Sequence, residues 1–284
     1  MVGEFHYRIP GRPLGARPGA HVSRAEGTAG VYLGLRPLIA RPDPRRIDLR
    51  RSAADPFEQW LVRTMSERIA IPVYVVADVS ASMGFGGPGG KQRTLADLVE
   101  SAAQSAWHTG DPFGCVAADT EVRTALTWPA MHARGQGSRI ADVLRTTRLE
   151  GRSAAGLLEA ARHLGRRRAL VLLASDFHFP PDFTRAVLGT FARHYVVPIV
   201  VWDAAEVVTP AQRGWIEVAD SESATRRFLW LRPAFAERVR TAVAGRREML
   251  RALFRSLGLR PLYLEAGFDP ARVTRHFLGG GDEG

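Results

Sequence analysis

Three uninterrupted apolar runs punctuate the chain: residues 71–77 (IPVYVVA), 169–175 (ALVLLAS) and 195–202 (YVVPIVVW). Each is short and apolar along its whole length, the pattern of a strand covered on both faces. Between them the apolar spacing changes to three and four. Residues 91–108 put Leu95, Leu98, Val99, Ala102 and Ala106 on one helical face, and 138–145, 153–164 and 183–194 read as further helices. Residues 113–118 and 121–128 read as strands, the second alternating Val122, Thr124, Leu126 and Trp128. Strands alternating with helices predict an α/β fold, Rossmann-like, with a mostly parallel central sheet and helices on both faces.

The flanks follow other patterns. Residues 1–70 are rich in proline and glycine and poor in periodicity, apart from a short strand at 31–35. Phe57, Trp60, Leu61, Met65 and Ile69 recur at three to four, so a helix is expected over 56–69, with Asp55 as N-cap and Pro56 just inside. Further on, 214–218 and 226–231 read as short edge strands. Residues 233–257 form a long amphipathic helix whose stripe is Phe235, Val239, Val243, Leu250, Phe254 and Leu257. Pro233 opens it and Gly258 follows its end. A last short helix covers 270–278. The expected organisation is an irregular or β-containing N-terminal extension (1–70) packing on the core, an α/β domain (71–205), and C-terminal strands and helices (206–284) that complete it.

The 284 residues are 45% hydrophobic and 24% charged, ordinary globular values. The single cysteine, Cys115, excludes an internal disulfide and a cysteine-based zinc site, and reads as a small buried hydrophobe. No apolar run approaches the roughly 18 residues of a membrane span. The opening MVGEFHYRIPGRP lacks the positive-then-apolar order of a secretion signal, so a cytoplasmic protein is expected. Net charge is +10, and of the 39 basic side chains all but Lys91 are arginine. The excess lies in the flanks and is thinly spread, so no nucleic-acid partner is expected. Arg240, Arg247, Arg251 and Arg255 share one face of the long helix; a solvated face is the first reading and a phosphate-binding stripe the second.

Chemistry concentrates in Asp78-Val79-Ser80-Ala81-Ser82-Met83, directly after the first buried strand. Ligands of open α/β sheets bind beyond the carboxyl ends of strands, and a turn there can aim Asp78, Ser80 and Ser82 at one point. Asp176 ends another buried strand on the same rim, and Ser153, after Gly151-Arg152, offers a further hydroxyl. Such oxygen-only donors suit Mg²⁺ or Mn²⁺ and suit zinc poorly.

At these residues the chain resembles a von Willebrand factor A (VWA) domain with its metal-ion-dependent adhesion site. The resemblance implies Asp78, Ser80 and Ser82 as first-loop ligands and Asp176 as the third-loop acid. The second-loop hydroxyl, commonly threonine, falls on Ser153, with Ser138 of GQGS as the alternative. The segment 41–53 (RPDPRRIDLRRSA), then DVSASM, a lysine-led helix, DPFGCVAAD, WPA and LASDF, resembles in order a bacterial family found beside MoxR-type AAA+ ATPases. Its members without membrane helices include the MxaS-like proteins of methanol-oxidation gene clusters, which this chain resembles. That likeness implies Mg²⁺, or Mn²⁺ or Ca²⁺, at the site and a MoxR-type ATPase as partner. It also implies a client protein whose Glu or Asp completes the metal shell. The role so implied is a chaperone-like, non-catalytic adaptor in maturation or metal insertion of a client such as methanol dehydrogenase.

Two other classes use the same residues. A metal-dependent hydrolase would work through Asp78 and Asp176, with His178 as the nearby base. The second acid that a haloacid-dehalogenase-type phosphatase needs is replaced by Ser80. A basic nucleic-acid-binding VWA protein is the other class. The loop 84–90 misses a P-loop, because Phe85 takes the leading glycine position and Gln92 replaces Ser/Thr, and it reads as a flexible rim. Asp203 reads as a turn acid. The plainest alternative makes DVSAS a turn whose hydroxyls cap the next helix.

Overall fold

The computed structural model describes residues 2–9, 18–40, 42–84, 90–203, 214–219, 226–231 and 233–279. The chain divides into two compact units. One comprises Ile9–Ile71 and Thr109–Asp111; the other comprises Met1–Arg8, Pro72–His108 and Pro112–Gly284.

The smaller unit is built on an antiparallel pair, β1 (Pro18–Pro37) and β2 (Leu61–Ile69), with a short helix, α1 (Leu49–Ala53), between them in sequence. The helix expected over 56–69 does not form. Asp55 accepts hydrogen bonds from the N–H groups of Phe57 (3.1 Å) and Gln59 (3.0 Å), and Glu58 takes a left-handed φ of 55°. That turn leads into a strand of period two: Val62 and Thr64 are buried, with Arg63 exposed between them. Phe57 and Trp60, expected on the helix's apolar face, are 78% and 57% exposed. Pairing with β1, a partner that no local pattern reveals, overrides the spacing of three and four.

In the larger unit the elements follow as β3 (Val73–Asp78), α2 (Lys91–Thr109), β4 (Phe113–Ala118), β5 (Val122–Met131) and α3 (Gln136–Thr146). Then come α4 (Leu157–Ala160), β6 (Leu170–Ser175), α5 (Pro181–Thr190) and β7 (Tyr195–Val201). The chain ends with β8 (Gly214–Ala219), β9 (Arg226–Leu231), α6 (Pro233–Ser256), β10 (Leu262–Leu264) and α7 (Pro270–Leu278). Six strands form one sheet in the order β10-β7-β6-β3-β4-β5, parallel throughout except for β5. This is the α/β architecture expected, a mostly parallel sheet flanked by helices.

Every residue of β3, β4 and β6 is buried, which is why these strands read as continuous apolar runs. Tyr74, Val76, Val116, Val171 and Leu173 form one core cluster with Leu157, Val187, Leu250 and Phe254 from the helices. The alternating positions Val73, Val75, Leu170 and Leu172 point to the other face and are equally buried. Cys115 is among them, and burial pushes its thiol up to about 12.

Two local expectations change. The helix expected from 153 begins only at Leu157. β8 and β9 pair with each other and do not extend the sheet, whose edge beside β7 is taken by β10. In α6 Leu250 and Phe254 are buried as expected, whereas Phe235 and Val239 lie outside the described side chains. Among the described residues no helix is long and apolar enough to cross a membrane.

Helix α3 meets α2 at Gly137, where an added Cβ would stand 2.4 Å from the Ala103 Cβ and 3.1 Å from the Glu100 carbonyl oxygen. Gly137→Ala is therefore expected to cost about 1–3 kcal/mol. Gly245→Ala, inside α6 with nothing within 4 Å of the new atom, should gain up to about 1 kcal/mol. Urea unfolding midpoints check both; opposite signs are the expected result.

Candidate functional site

From β3 the chain crosses to β4 on one side and later to β6 on the other, so strand order reverses at β3. Adjacent crossovers that diverge in this way leave a crevice at the strands' carboxyl ends. The residues that end these strands line it: Asp78 ends β3, and Asp176 directly follows β6, whose register aligns Ala174 with Ala77. Both carboxylates are buried.

Asp78 is held on both oxygens. Its Oδ1 accepts from the Ser80 N–H at 2.9 Å, and its Oδ2 accepts from the Ser175 hydroxyl at 2.6 Å. Ser175 in turn accepts from the Phe177 N–H at 3.0 Å. The hydroxyls of Ser80 and Ser82 lie 3.2 Å apart. Asp78, Ser80, Ser82 and Asp176 are thus gathered at one sheet edge, as the spacing suggested.

The second loop arrives differently. Ser80 bridges to Gly151, and the Ala81 N–H donates to the Gly151 carbonyl at 2.8 Å. A Cβ at Gly151 would come within 2.6 Å of the Asp119 carboxylate, so this loop approaches by bare backbone. Ser153 accepts a long 3.5 Å bond from the Ala155 N–H within its own turn. Ser138 is exposed on α3, where it donates to Glu100. Neither hydroxyl is joined to Asp78 or Asp176 by a hydrogen bond.

Lys91 is the group that motif reading missed. The first residue of α2, it is 1% exposed and its ammonium lies 2.8 Å from Asp176 Oδ2. The available signal was its rarity, one lysine among 39 basic residues.

The loop after Asp176 is pinned from several sides. The His178 N–H donates to Asp176 Oδ1 at 3.1 Å, and the half-exposed His178 ring places Nδ1 3.4 Å from Oδ2. The Trp202 indole donates to the Asp176 carbonyl at 2.8 Å, and Arg246 donates to the Phe177 and Phe179 carbonyls. Phe177 sits at φ 52°, a left-handed conformation costing about 1 kcal/mol that surrounding contacts must offset.

These surroundings drive the two acids apart. Burial, then the charge of Asp176, raises Asp78 to about 6 against the pull of its hydrogen bonds to Ser175 and Ser80. Burial would raise Asp176 as well, but the hydrogen bond with His178 and the charge of Lys91 hold it well below the usual carboxylate range. The Lys91 ammonium thus pairs with Asp176, whereas Asp78 is held by hydroxyl and N–H donors.

Two carboxylates and two hydroxyls suit a hard cation bound through oxygen. Among the described residues no cluster of three or more His, Cys, Asp or Glu could hold a metal ion. Hydroxyls, water and an outside carboxylate would have to supply much of the shell.

Asp78 binds its proton more tightly folded (about 6) than at its ordinary 3.8, so folding takes up protons between these values. Stability from this group is therefore lost as pH rises through roughly 4 to 6. In chelator, wild type should gain about 2 kcal/mol relative to Asp78→Asn when pH is lowered from about 7.5 to 4.5. Denaturant unfolding of both proteins at the two pH values measures the difference. Lys91→Met should cost about 3–5 kcal/mol by stranding a buried charge, and adding Asp176→Asn should recover most of it.

The sequence profile of the family described as "Protein of unknown function DUF58" matches residues 39–249. Uncharacterized proteins of Mycobacterium tuberculosis and Mycobacterium bovis are each 28% identical over 236 residues, 80% of this chain and 72% of theirs. An uncharacterized protein of Paracoccus denitrificans, described as in the moxR 3′ region, is 29% identical over 102 residues, covering 36% of this chain and 97% of that protein. Among solved structures, an aerotolerance-related membrane protein from Bacteroides fragilis aligns with a TM-score of 0.44 at 12% identity, over 74% of this chain and 98% of that one. With the profile spanning most of the sheet and its helices, the chain belongs to the DUF58 family.

Proposed function

We propose that this chain is a non-catalytic, metal-dependent protein-binding module of the VWA type, working in the cytoplasm as an adaptor for a MoxR-type AAA+ ATPase. One observation carries the reading. At the sheet's switch point, buried Asp78 lies beside the paired hydroxyls of Ser80 and Ser82 and near buried Asp176, which the Lys91 ammonium holds. The Paracoccus denitrificans relative in the moxR 3′ region supports the choice of ATPase.

Asp78, Ser80 and Ser82 would hold the cation, Mg²⁺ or alternatively Mn²⁺ or Ca²⁺. Such an ion keeps exchangeable waters and offers a position to an external carboxylate. Asp176 already accepts from Lys91 and from the His178 N–H, so it acts through solvent and through its charge. Ser175 and the Ser80 N–H keep the Asp78 carboxylate oriented before any partner arrives. A Glu or Asp of the client then completes the shell, and the ATPase acts on the client so presented. The finer reading places the chain with MxaS-like proteins, with an enzyme such as methanol dehydrogenase as the client whose maturation or metal insertion it serves.

Titration calorimetry with Mg²⁺ on wild type and Asp78→Ala, with and without the MoxR-type ATPase, tests this. Wild type should bind Mg²⁺ and bind the ATPase only in its presence. Asp78→Ala should keep the fold and lose Mg²⁺ affinity by about 100-fold or more. Partner binding retained in Asp78→Ala, or no Mg²⁺ binding by wild type, would overturn the reading.

A further inference from the structure

Helix α6 and the segment after it enclose a concavity of about 470 Å³ that the adaptor reading does not use. Arg247, Arg251 and Arg255 recur every four residues on α6 and so lie along one helix face. Arg260, beyond the helix, and Arg272, on α7, line the same space. Glu265 is the one acid among the described residues that line it, and it pairs with Arg247. Among the described residues no carboxylate pairs with Arg255 or Arg260. The Tyr263 ring lies 5.4 Å from the Arg247 guanidinium and 5.9 Å from that of Arg251.

Arg255 and Arg260 bring guanidinium charge to the space with no carboxylate among the described residues paired to them, and a multiply charged anion compensates it. Planar guanidinium forks match phosphate oxygens two at a time. The volume falls in the range of small-ligand sites, roughly 300–1,000 Å³. Arg240, the fourth arginine of the face read from sequence, pairs with Glu237 and does not line the space. The charge is therefore focused in a pocket, whereas a nucleic-acid groove would spread it along a track.

The geometry points to this concavity as a binding site for a small polyphosphate-bearing anion, either an inorganic polyphosphate or the triphosphate of a nucleotide. Calorimetry on the full chain at about 0.15 M ionic strength would use sodium tripolyphosphate and ATP, with hexaglutamate and a single-stranded oligonucleotide as competitors in class. Saturable one-site binding is expected. Arg255→Gln/Arg260→Gln should weaken it by about tenfold or more. Arg166→Gln/Arg167→Gln, which removes the same charge from exposed positions, should leave it unchanged. ATP binding more tightly than tripolyphosphate identifies a nucleotide, and equal affinity identifies the phosphate chain alone; both uphold the site. Absent saturation, equal losses in the two double variants, or preference for hexaglutamate or the oligonucleotide would overturn it.

Discussion

The ion pair between Lys91 and Asp176 joins positions 85 residues apart in the chain. Burying an ammonium and a carboxylate costs several kcal/mol per ion, and only close mutual contact offsets it. Lys91 also opens α2, where the positive end of the helix dipole disfavours a cation. The pair therefore holds only if the start of α2 and the end of β6 come together correctly. Asp78 enlarges the demand: its carboxylate adds a second negative charge, moderated by the Ser175 hydroxyl on β6. Three segments of the sheet edge are thus bound into one electrostatic unit.

The loop beyond Asp176 transmits that constraint outward. Trp202, just past β7, holds the Asp176 carbonyl, and Arg246 of α6 holds the carbonyls of Phe177 and Phe179. Arg247, one residue on, lies 5.6 Å from the Trp202 ring centroid while lining the arginine-rich concavity. The acidic rim and the cationic pocket are therefore structurally contiguous through one indole and two neighbouring arginines.

The parts visible in the amino-acid order are those whose environment is uniform or strictly periodic. β3, β4 and β6 were legible because both faces are buried, and α2 because Leu95, Leu98 and Val99 recur on one side. Asp78 and Asp176 were legible because strand ends are predictable places for ligand-facing acids. Residues 56–69 misled because Phe57, Trp60 and Leu61 mimic a helical stripe, while the pairing with β1 spans long sequence separations. β10 was hidden by its three-residue length. The approach of Gly151, by backbone and with Asp119 filling the space a side chain would need, leaves no side-chain signature to read. Lys91 could be noticed as rare, but its partner emerges only when β6 is placed beside β3.

Lys91 also makes the site chemically self-reporting. It is the only lysine among 284 residues, so every other cationic side chain is an arginine or a histidine, inert to ordinary acylating reagents or incapable of a stable amide. With its ammonium enclosed and paired, amine-directed acylation of the native chain stops at the α-amino group. A second adduct on the intact protein then counts the molecules in which the crevice has opened, without any engineered label.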